Sequence, residues 1–180
     1  MRDARSFERL VLSHLDSAYN LARWLLRDEA SAEDVVQESA LRAWRYIGSL
    51  RGDHAKAWFL GIVRNACFTH LARVRDAAED TGLDDDAFDA LCEVAHAAAA
   101  APAADPAQAL DRWRERALID AAIRNLPPGL REVIVLREFE DMAYADIAQV
   151  ASLPIGTVMS RLSRARQRLK AALVSAGIDR

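Results

Sequence analysis

A basic amphipathic segment near the end of the chain constrains the fold more than any other feature. Residues 155–170, IGTVMSRLSRARQRLK, hold five basic side chains and no acidic one. Their apolar positions recur at the period of an α-helix and form one face, which comprises Ile155, Val158, Leu162, Ala165 and Leu169. The preceding residues 144–154, YADIAQVASLP, are typical of a short helix and a tight turn. Together the two segments predict a helix-turn-helix whose second helix fits the major groove of DNA.

Charge is segregated along the chain, and the net charge of −3 conceals this. Residues 77–111 contain nine acidic side chains and neither lysine nor arginine, whereas both flanking stretches have a small excess of basic residues. Phosphate attraction depends on a local basic surface and not on the net charge. A basic amphipathic helix alone also suits a solvated face, a membrane surface or a calmodulin-type target, but the helix and turn before it favour DNA binding.

The first part of the chain has the spacing of three amphipathic helices. The pattern predicts a long helix over residues 6–27, a second from Ser31 to about Gly48, and a third from about Ala55 to Arg75. Ser31, followed three residues later by Asp34, fits an N-cap pattern for the second helix. No part of this stretch alternates at a period of two, so a compact helical bundle is predicted.

Beyond an acidic, alanine-rich stretch, the helical spacing returns. We predict an all-α fold of two small helical domains, residues 1–76 and 108–180, joined by a flexible acidic linker at 77–107. The second domain is predicted to be a four-helix unit that ends in the helix-turn-helix, with Pro128 at the start of its second helix. One alternative is left open for the linker, a short docking helix with apolar residues Leu83, Phe88, Leu91, Cys92 and Val94.

Several classes of protein are disfavoured by what the sequence lacks. It has no apolar run long enough to span a bilayer and no signal-peptide pattern. It also has no glycine-rich phosphate loop, no HExxH motif and no paired Cys/His cluster. Cys67 and Cys92 provide neither a metal site nor a disulfide framework, and Cys67 is expected to be buried. We therefore expect a reduced cytoplasmic protein that is not an enzyme and binds no metal or cofactor.

Three motifs in register resemble the extracytoplasmic-function (ECF) branch of the sigma-70 family. They are AEDVVQESALRAWR at 32–45, KAWFLGIVRNACFTHL at 56–71, and LPPGLREVIVLREFEDMAYADIAQVASLPIGTVMSRLSRARQRL at 126–169. The resemblance implies an alternative transcription initiation factor that binds core RNA polymerase, recognises promoters and promotes DNA melting. It assigns polymerase docking and the −10 element to the first domain, and the −35 element to the second.

The resemblance also implies the partners. These are promoter DNA, core RNA polymerase through its β′ clamp and β flap, and an anti-sigma factor, with no insertion into a membrane. The contact with the β′ clamp is assigned to the helix that carries Asp34, Gln37, Glu38, Leu41 and Arg42. These polar positions suit charge-matched helix docking, but the residues alone favour an ordinary solvated face with acids near the helix N-terminus.

Two sets of residues are candidates for DNA contacts. The resemblance assigns capture of a flipped base at the −10 element to the loop of residues 48–54, and it implies as candidates there and on the following helix Arg51, Lys56, Trp58, Arg64 and Asn65. A captured base and cationic support of the displaced strand offset the cost of unstacking. Trp58 is the weakest of these candidates, since an aromatic residue at helical spacing is typical of a core. In the recognition helix the candidates for base edges are Met159, Ser160, Ser163 and Arg164, and those for phosphates are Thr157, Arg161, Arg166 and Arg168.

The chain departs from the family pattern at three positions of the helix-turn-helix. Ala143 stands where an N-cap Ser or Thr is common, so the first helix of the motif is expected to fray. Ser152 replaces the turn glycine, which costs stability if the residue is left-handed. Met159 replaces a common Lys or Arg, which puts the expected DNA sequence in doubt.

Two other functions compete with that of an initiation factor. One is a sigma-like decoy that binds an anti-sigma regulator, and the other is a helix-turn-helix repressor, which would leave the first domain without a role. The acidic stretch 77–111 is either a solvated tether or a mimic of the nucleic acid in a basic channel of the polymerase. The promoter sequence, the inducing signal and the anti-sigma partner are not encoded in any recognisable motif.

Overall fold

The structure is a computed structural model that describes residues 7, 8, 10–50, 54–80 and 106–177. Within those ranges the chain forms seven α-helices and no strand, so the all-α prediction is confirmed. The helices are α1 Leu15–Leu26, α2 Glu29–Tyr46, α3 Ala55–Asp80, α4 Pro106–Arg124, α5 Pro128–Glu138, α6 Tyr144–Ala151 and α7 Ile155–Ser175. Most of the predicted linker, including Cys92 and the alternative docking helix, lies outside the described residues, as does Arg51.

The first three helices form the predicted bundle around a core that includes Leu21, Leu25, Phe59, Leu60 and Val63. The prediction of a single helix over residues 6–27 is wrong, because a 3-10 turn at Leu12–His14 precedes α1. Val11, just before this turn, is fully buried. The α-helical path is therefore interrupted while the Val11 side chain stays in the core. The third predicted helix begins at Ala55 as expected but extends to Asp80.

The N-cap of α2 is Asp28 and not Ser31, so that prediction is wrong. Asp28 has an extended backbone, and its Oδ2 accepts a hydrogen bond of 2.7 Å from the backbone N–H of Ser31. Arg27, directly before it, is left-handed with φ 59° and ends α1. The chain therefore turns at residues 27–28, which places Ser31 inside the first turn of the helix, where its side chain cannot act as the cap.

The predicted helix-turn-helix is confirmed as α6 and α7. Val158, Leu162 and Ala165 of α7 are buried, as the helical period predicts, and Leu169 is half-buried. Ile155 departs from the prediction because it lies in the first turn of α7 with 49% of its surface exposed. Pro128 is the first residue of α5, where its missing N–H costs no intrahelical hydrogen bond.

Both expected defects of the motif are present. Ala143 is the N-cap of α6 and offers no side-chain acceptor to the free N–H groups of the first turn. Ser152, between the two helices, has φ 53° and ψ 48°. This left-handed conformation is unfavourable for a residue with a Cβ, so interactions elsewhere in the fold must offset its cost in free energy.

Ala143→Thr is expected to stabilise the protein by roughly 1 kcal/mol, since a Thr hydroxyl satisfies an N–H group of α6. Ala143 is exposed, so a larger side chain causes no clash. Ala143→Val, which has the same shape without the hydroxyl, is the control. Urea denaturation of the three proteins measures the effect, and equal stability of the Thr and Val variants would contradict the capping explanation.

The second half of the chain packs directly against the first. Helix α5 lies against α1, and α6 lies against α3, so that one continuous apolar core runs through both halves. Gly61 of α3 marks the close approach, because a Cβ at this residue would lie 3.9 Å from the backbone of Val150 in α6. No local pattern in the sequence predicts this packing.

Candidate nucleic-acid interface

The recognition helix α7 presents most of its candidate DNA contacts to solvent. Met159, with 53% of its surface exposed, Ser160, Ser163 and Arg164 are all exposed, on the side of α7 away from the buried Val158 and Leu162. Arg166 and Arg168 are also exposed, while Thr157 and Arg161 are half-buried. A helix with this arrangement can place polar and methyl-bearing side chains at base edges in a major groove.

Two of the α7 arginines are held by acidic residues of α5. Arg166 Nη2 lies 2.8 Å from Glu138 Oε1 in an exposed ion pair. Arg161 Nη1 lies 4.0 Å from Glu132 Oε2, and the Arg161 guanidinium covers Gly129, where a Cβ would be only 3.0 Å from Nη1. Arg166 can exchange its partner for a phosphate at little cost, since exposed pairs contribute little. Arg161 is held in place by both contacts.

The five candidate polymerase contacts share one exposed face of α2. Asp34, Gln37, Glu38, Leu41 and Arg42 follow the helical spacing of three and four residues, and all five are exposed. Leu41 has 62% of its surface exposed, and beside it Glu38 Oε1 forms an ion pair of 2.5 Å with Arg42 Nη2. The opposite face of α2 packs into the bundle through Val35, Val36 and Ala43. An exposed leucine surrounded by charged groups suits docking of a partner helix.

The candidates for the −10 element lie on α3, and the second half of the chain contacts two of them. Arg64 Nε donates to Glu132 Oε1 at 2.6 Å, and Lys56 Nζ lies 3.1 Å from Glu140 Oε2. Asn65 is exposed, and its Oδ1 accepts a hydrogen bond from Arg64 Nη1. Trp58 is half-buried and packs against the core. Arg51 lies outside the described residues, so four of the five candidates are placed on one helix.

Sequence reasoning missed the polar residues that join the two halves. Arg131, with 3% of its surface exposed, donates through Nη1 to the backbone oxygen of Trp24 and through Nη2 to those of Arg124 and Leu126. Glu140 Oε1 accepts a hydrogen bond of 2.7 Å from Asn20. The sequence gives only a weak indication of these residues, which is that Arg131 and Glu132 are adjacent to each other among the apolar positions of α5.

Burial and hydrogen bonding shift the pKa of three groups at or near this junction. Burial raises the pKa of Glu132, although Arg64 and Arg161 act in the opposite direction. Burial also raises the pKa of the Cys67 thiol to about 12, so this buried cysteine stays protonated at neutral pH. For Glu140, burial acts to raise the pKa, but hydrogen bonds from Asn20, Ser17 and Lys56 outweigh it, and the pKa is lowered.

Glu140→Gln is expected to cost about 1–3 kcal/mol of folding free energy at neutral pH, because it removes a charged, hydrogen-bonded group at the junction. A carboxyl with a lowered pKa in the folded state stabilises fully above its ordinary pKa, and this contribution is lost as the pH falls through the lowered value. The difference in unfolding free energy between the variant and the natural protein should therefore shrink as the pH falls below the ordinary pKa of a glutamate, about 4.3.

Urea denaturation at each pH measures this difference. Asp141→Asn is the matched control, because Asp141 is the next residue, its side chain is 97% exposed, and its acid pairs only weakly with Arg137 at 3.9 Å. Asn also tolerates the left-handed backbone of this residue, φ 50°. A Glu140→Gln deficit that is constant with pH would show that the carboxylate charge is not what stabilises the junction.

Among the described residues, no group of three or more His, Cys, Asp or Glu side chains is arranged to hold a metal ion. No helix in the described ranges is long and apolar enough to cross a membrane.

Both halves of the chain are similar to regions of one known protein family. Residues 10–77 match the family "Sigma-70 region 2", and residues 116–169 match the family "Sigma-70, region 4". The RNA polymerase sigma-H factor of Pseudomonas aeruginosa is 36% identical over 173 residues, which cover 95% of this chain and 88% of that protein. The ECF RNA polymerase sigma-E factor of Haemophilus influenzae is 33% identical over 173 residues, 93% of this chain and 87% of that protein.

Two solved structures of sigma factors are similar in fold to this chain. The sigma factor RpoE in complex with the anti-sigma factor NepR from Bartonella quintana has a TM-score of 0.73 and 27% identity, and the match covers 98% of this chain and 100% of that one. CnrH in complex with the cytosolic domain of CnrY has a TM-score of 0.62 and 26% identity, with 96% of this chain and 90% of that one covered. The matched regions, the curated relatives and the exposed helix-turn-helix lead to one conclusion: the chain belongs to the sigma-70 family of RNA polymerase sigma factors, in its extracytoplasmic-function branch.

Proposed function

We propose that this sigma factor directs core RNA polymerase to its promoters by reading the −35 element with α7 and opening the −10 element with the α3 face. The observation that carries the proposal is the construction of α7. Its apolar side is buried against the other helices of the second domain. Its solvent-exposed face, in a helix-turn-helix, carries Met159, Ser160, Ser163 and Arg164. Arg164 can bind a guanine through two hydrogen bonds, and Met159 provides an apolar contact of the kind that suits a thymine methyl group.

The proposed polymerase contact is the exposed face of α2. Leu41 supplies apolar area, and Asp34, Gln37 and Glu38 supply polar groups that suit a basic or hydrogen-bonding partner helix. We assign this face to the β′ clamp, and the β flap is a further proposed contact. The protein contributes binding energy and orientation, with no catalytic group of its own.

Promoter opening in this proposal uses binding energy instead of ATP. Unstacking a base pair step costs a few kcal/mol, which is offset when a flipped base is captured and the displaced strand is held by cations. Lys56 and Arg64 supply the cations, Asn65 can donate to and accept from a base edge, and Arg51 and the half-buried Trp58 complete the candidate set. Because the second domain contacts Lys56 and Arg64, these residues reach DNA only after the two domains separate.

Control by an anti-sigma factor is part of the proposal, and so is a cytoplasmic location. Two sigma factors of similar structure were solved with anti-sigma partners. A partner that covers the α2 face and the α3 face would block polymerase and DNA together. A decoy that only binds such a regulator would have no use for the exposed base-reading face of α7.

Promoter opening by the reconstituted holoenzyme tests the proposal. Core polymerase, the full chain and a promoter with the fluorescent base 2-aminopurine in its −10 element should give a fluorescence increase without ATP. The variant Lys56→Ala/Arg64→Ala should lose most of this increase. Arg73→Ala, an exposed residue of the same helix outside the candidate set, is the control. Undiminished opening by the double variant would refute the assignment of the α3 face.

A further inference from the structure

The first two turns of α7 carry two large apolar side chains on their exposed side. Ile155 and Met159 lie four residues apart, which places them on one side of the helix, and 49% and 53% of their surface is exposed. We call these two residues the α7 apolar patch. Gly156, three residues before Met159, lies next to the patch, and a Cβ at this glycine would meet nothing within 4 Å. The space beside the patch is therefore open to a base edge.

Hydrogen-bonding groups are scarce at this end of the helix. The polar side chains of residues 155–160 are Thr157, which is half-buried, and Ser160, whose hydroxyl donates to the backbone oxygen of Thr157 at 3.0 Å. The exposed donors Ser163 and Arg164 lie further along α7. In a helix-turn-helix, the N-terminal residues of the second helix contact the base edges. In this chain, those residues offer bases more apolar surface than polar groups.

The charge around the α7 apolar patch favours duplex DNA as its partner. Residues 155–170 hold five basic side chains and no acidic one, and Arg164, Arg166 and Arg168 are exposed beyond the patch. Such a surface attracts the phosphates that border a major groove. The floor of that groove exposes one apolar group, the C5-methyl of thymine. This methyl group is the part of a base pair that an isoleucine or a methionine can recognise.

We propose that the α7 apolar patch reads the C5-methyl groups of pyrimidines in the −35 element, so that 5-methylcytosine can replace thymine there. The inference rests on the proposed function of α7. Ile155 has no polar side-chain atom and the Met159 sulfur is only a weak acceptor, so the patch barely distinguishes the 4-oxygen of thymine from the 4-amino group of cytosine. Thymine and 5-methylcytosine satisfy it, whereas uracil and cytosine do not. Methylation of a cytosine at such a position therefore strengthens binding of that promoter.

Bases that differ only in the methyl group test the proposal. Holoenzyme assembled from core polymerase and the full-length protein selects an upstream element from a random library. Each thymine of both strands is then replaced in turn by deoxyuridine, and the affinity is measured by competition. We expect about fourfold weaker binding at one or two thymines, which corresponds to the ~0.8 kcal/mol gained on burial of one methyl-sized group. When a cytosine–guanine pair stands at the same positions, methylation of the cytosine should strengthen binding by a similar factor.

Variants of the patch connect the methyl effect to these two side chains. In Ile155→Ser/Met159→Ser, thymine and deoxyuridine should bind equally well at every position. Met159→Leu keeps an apolar side chain and should keep the difference. Val174→Ser is the matched control, because Val174 is 47% exposed near the other end of α7 and lies outside the patch. Circular dichroism verifies that each variant keeps its helix content.

Equal binding of thymine and deoxyuridine at every position by the natural protein would overturn the proposal, and so would a methyl effect that persists in the double variant. If the holoenzyme still prefers the selected element to its scrambled version in either case, only methyl reading by the patch has failed. If it shows no preference, the assignment of α7 to the −35 element has failed as well. Loss of holoenzyme assembly in the double variant, without a methyl effect in the natural protein, would make the patch a contact with the polymerase instead.

Discussion

Gln37→Arg/Glu38→Arg is expected to abolish binding of core RNA polymerase while α2 stays helical. Both side chains are exposed at the centre of the α2 face, next to Leu41, and neither contributes to the core. The variant places two cations where a charge-matched partner meets an acidic and a neutral group, and like-charge juxtaposition at an interface costs several kcal/mol. Because each 1.4 kcal/mol is a factor of about ten, the affinity should fall by two or more orders of magnitude.

Co-purification and competition against another sigma factor for core polymerase measure this loss. Asp16→Arg, an exposed residue of α1 in the same domain, reverses a charge outside the α2 face and should bind normally. Normal binding by the α2 variant, with circular dichroism unchanged, would remove the β′ clamp assignment and leave an ordinary solvated face as the explanation of these residues.

Arg164→Ala is expected to weaken binding of the −35 element about 5- to 150-fold and to leave binding of scrambled DNA almost unchanged. A bidentate contact between arginine and guanine contributes roughly 1–3 kcal/mol of discrimination. Arg164 is exposed in the middle of α7, between Ser160 and the phosphate candidates further along the helix. Its loss should therefore change specificity more than overall affinity.

The measurement compares holoenzyme affinity for an upstream element selected from a random library with affinity for its scrambled version. Arg168→Ala is the matched control, since this exposed arginine lies one turn further along α7 and is assigned to a phosphate. That variant should weaken both DNAs equally and lower the salt dependence of binding. Equal losses from Arg164→Ala on both DNAs would make Arg164 a phosphate contact as well.

The parts of the fold that the sequence predicts are those set by local periodicity. Val158, Leu162 and Ala165 recur at helical spacing and are buried as expected, and Pro128 starts α5. Local patterns fail where two N-cap candidates compete: Asp28 and Ser31 are both residue types that cap helices, and Ser31 also has Asp34 three residues later. The left-handed Arg27 ends α1 directly before the extended Asp28 that caps α2, and an arginine does not signal this conformation in the sequence.

The junction between the domains could not be predicted, because its partners lie far apart in the sequence. Arg131 donates to Trp24 and Glu132 accepts from Arg64, at separations of 107 and 68 residues. In a domain considered by itself, two adjacent charged residues of α5 are expected at the surface. Hence the sequence predicts the exposed face of α2 and the exposed Met159, Ser160, Ser163 and Arg164 of α7, while the contacts of Lys56, Arg64 and Arg161 with acidic residues appear only in the structure.

Transcription from a promoter with purified components tests the central claim most directly. Core polymerase, the full-length protein and a template that carries the selected −35 and −10 elements are combined with nucleoside triphosphates, and run-off RNA is measured. We expect a transcript of defined length that requires this protein and is lost with Gln37→Arg/Glu38→Arg. No transcript from any selected template, despite specific DNA binding by the protein, would contradict the account and favour a repressor. Binding to an anti-sigma factor with neither transcription nor polymerase binding would instead favour a decoy.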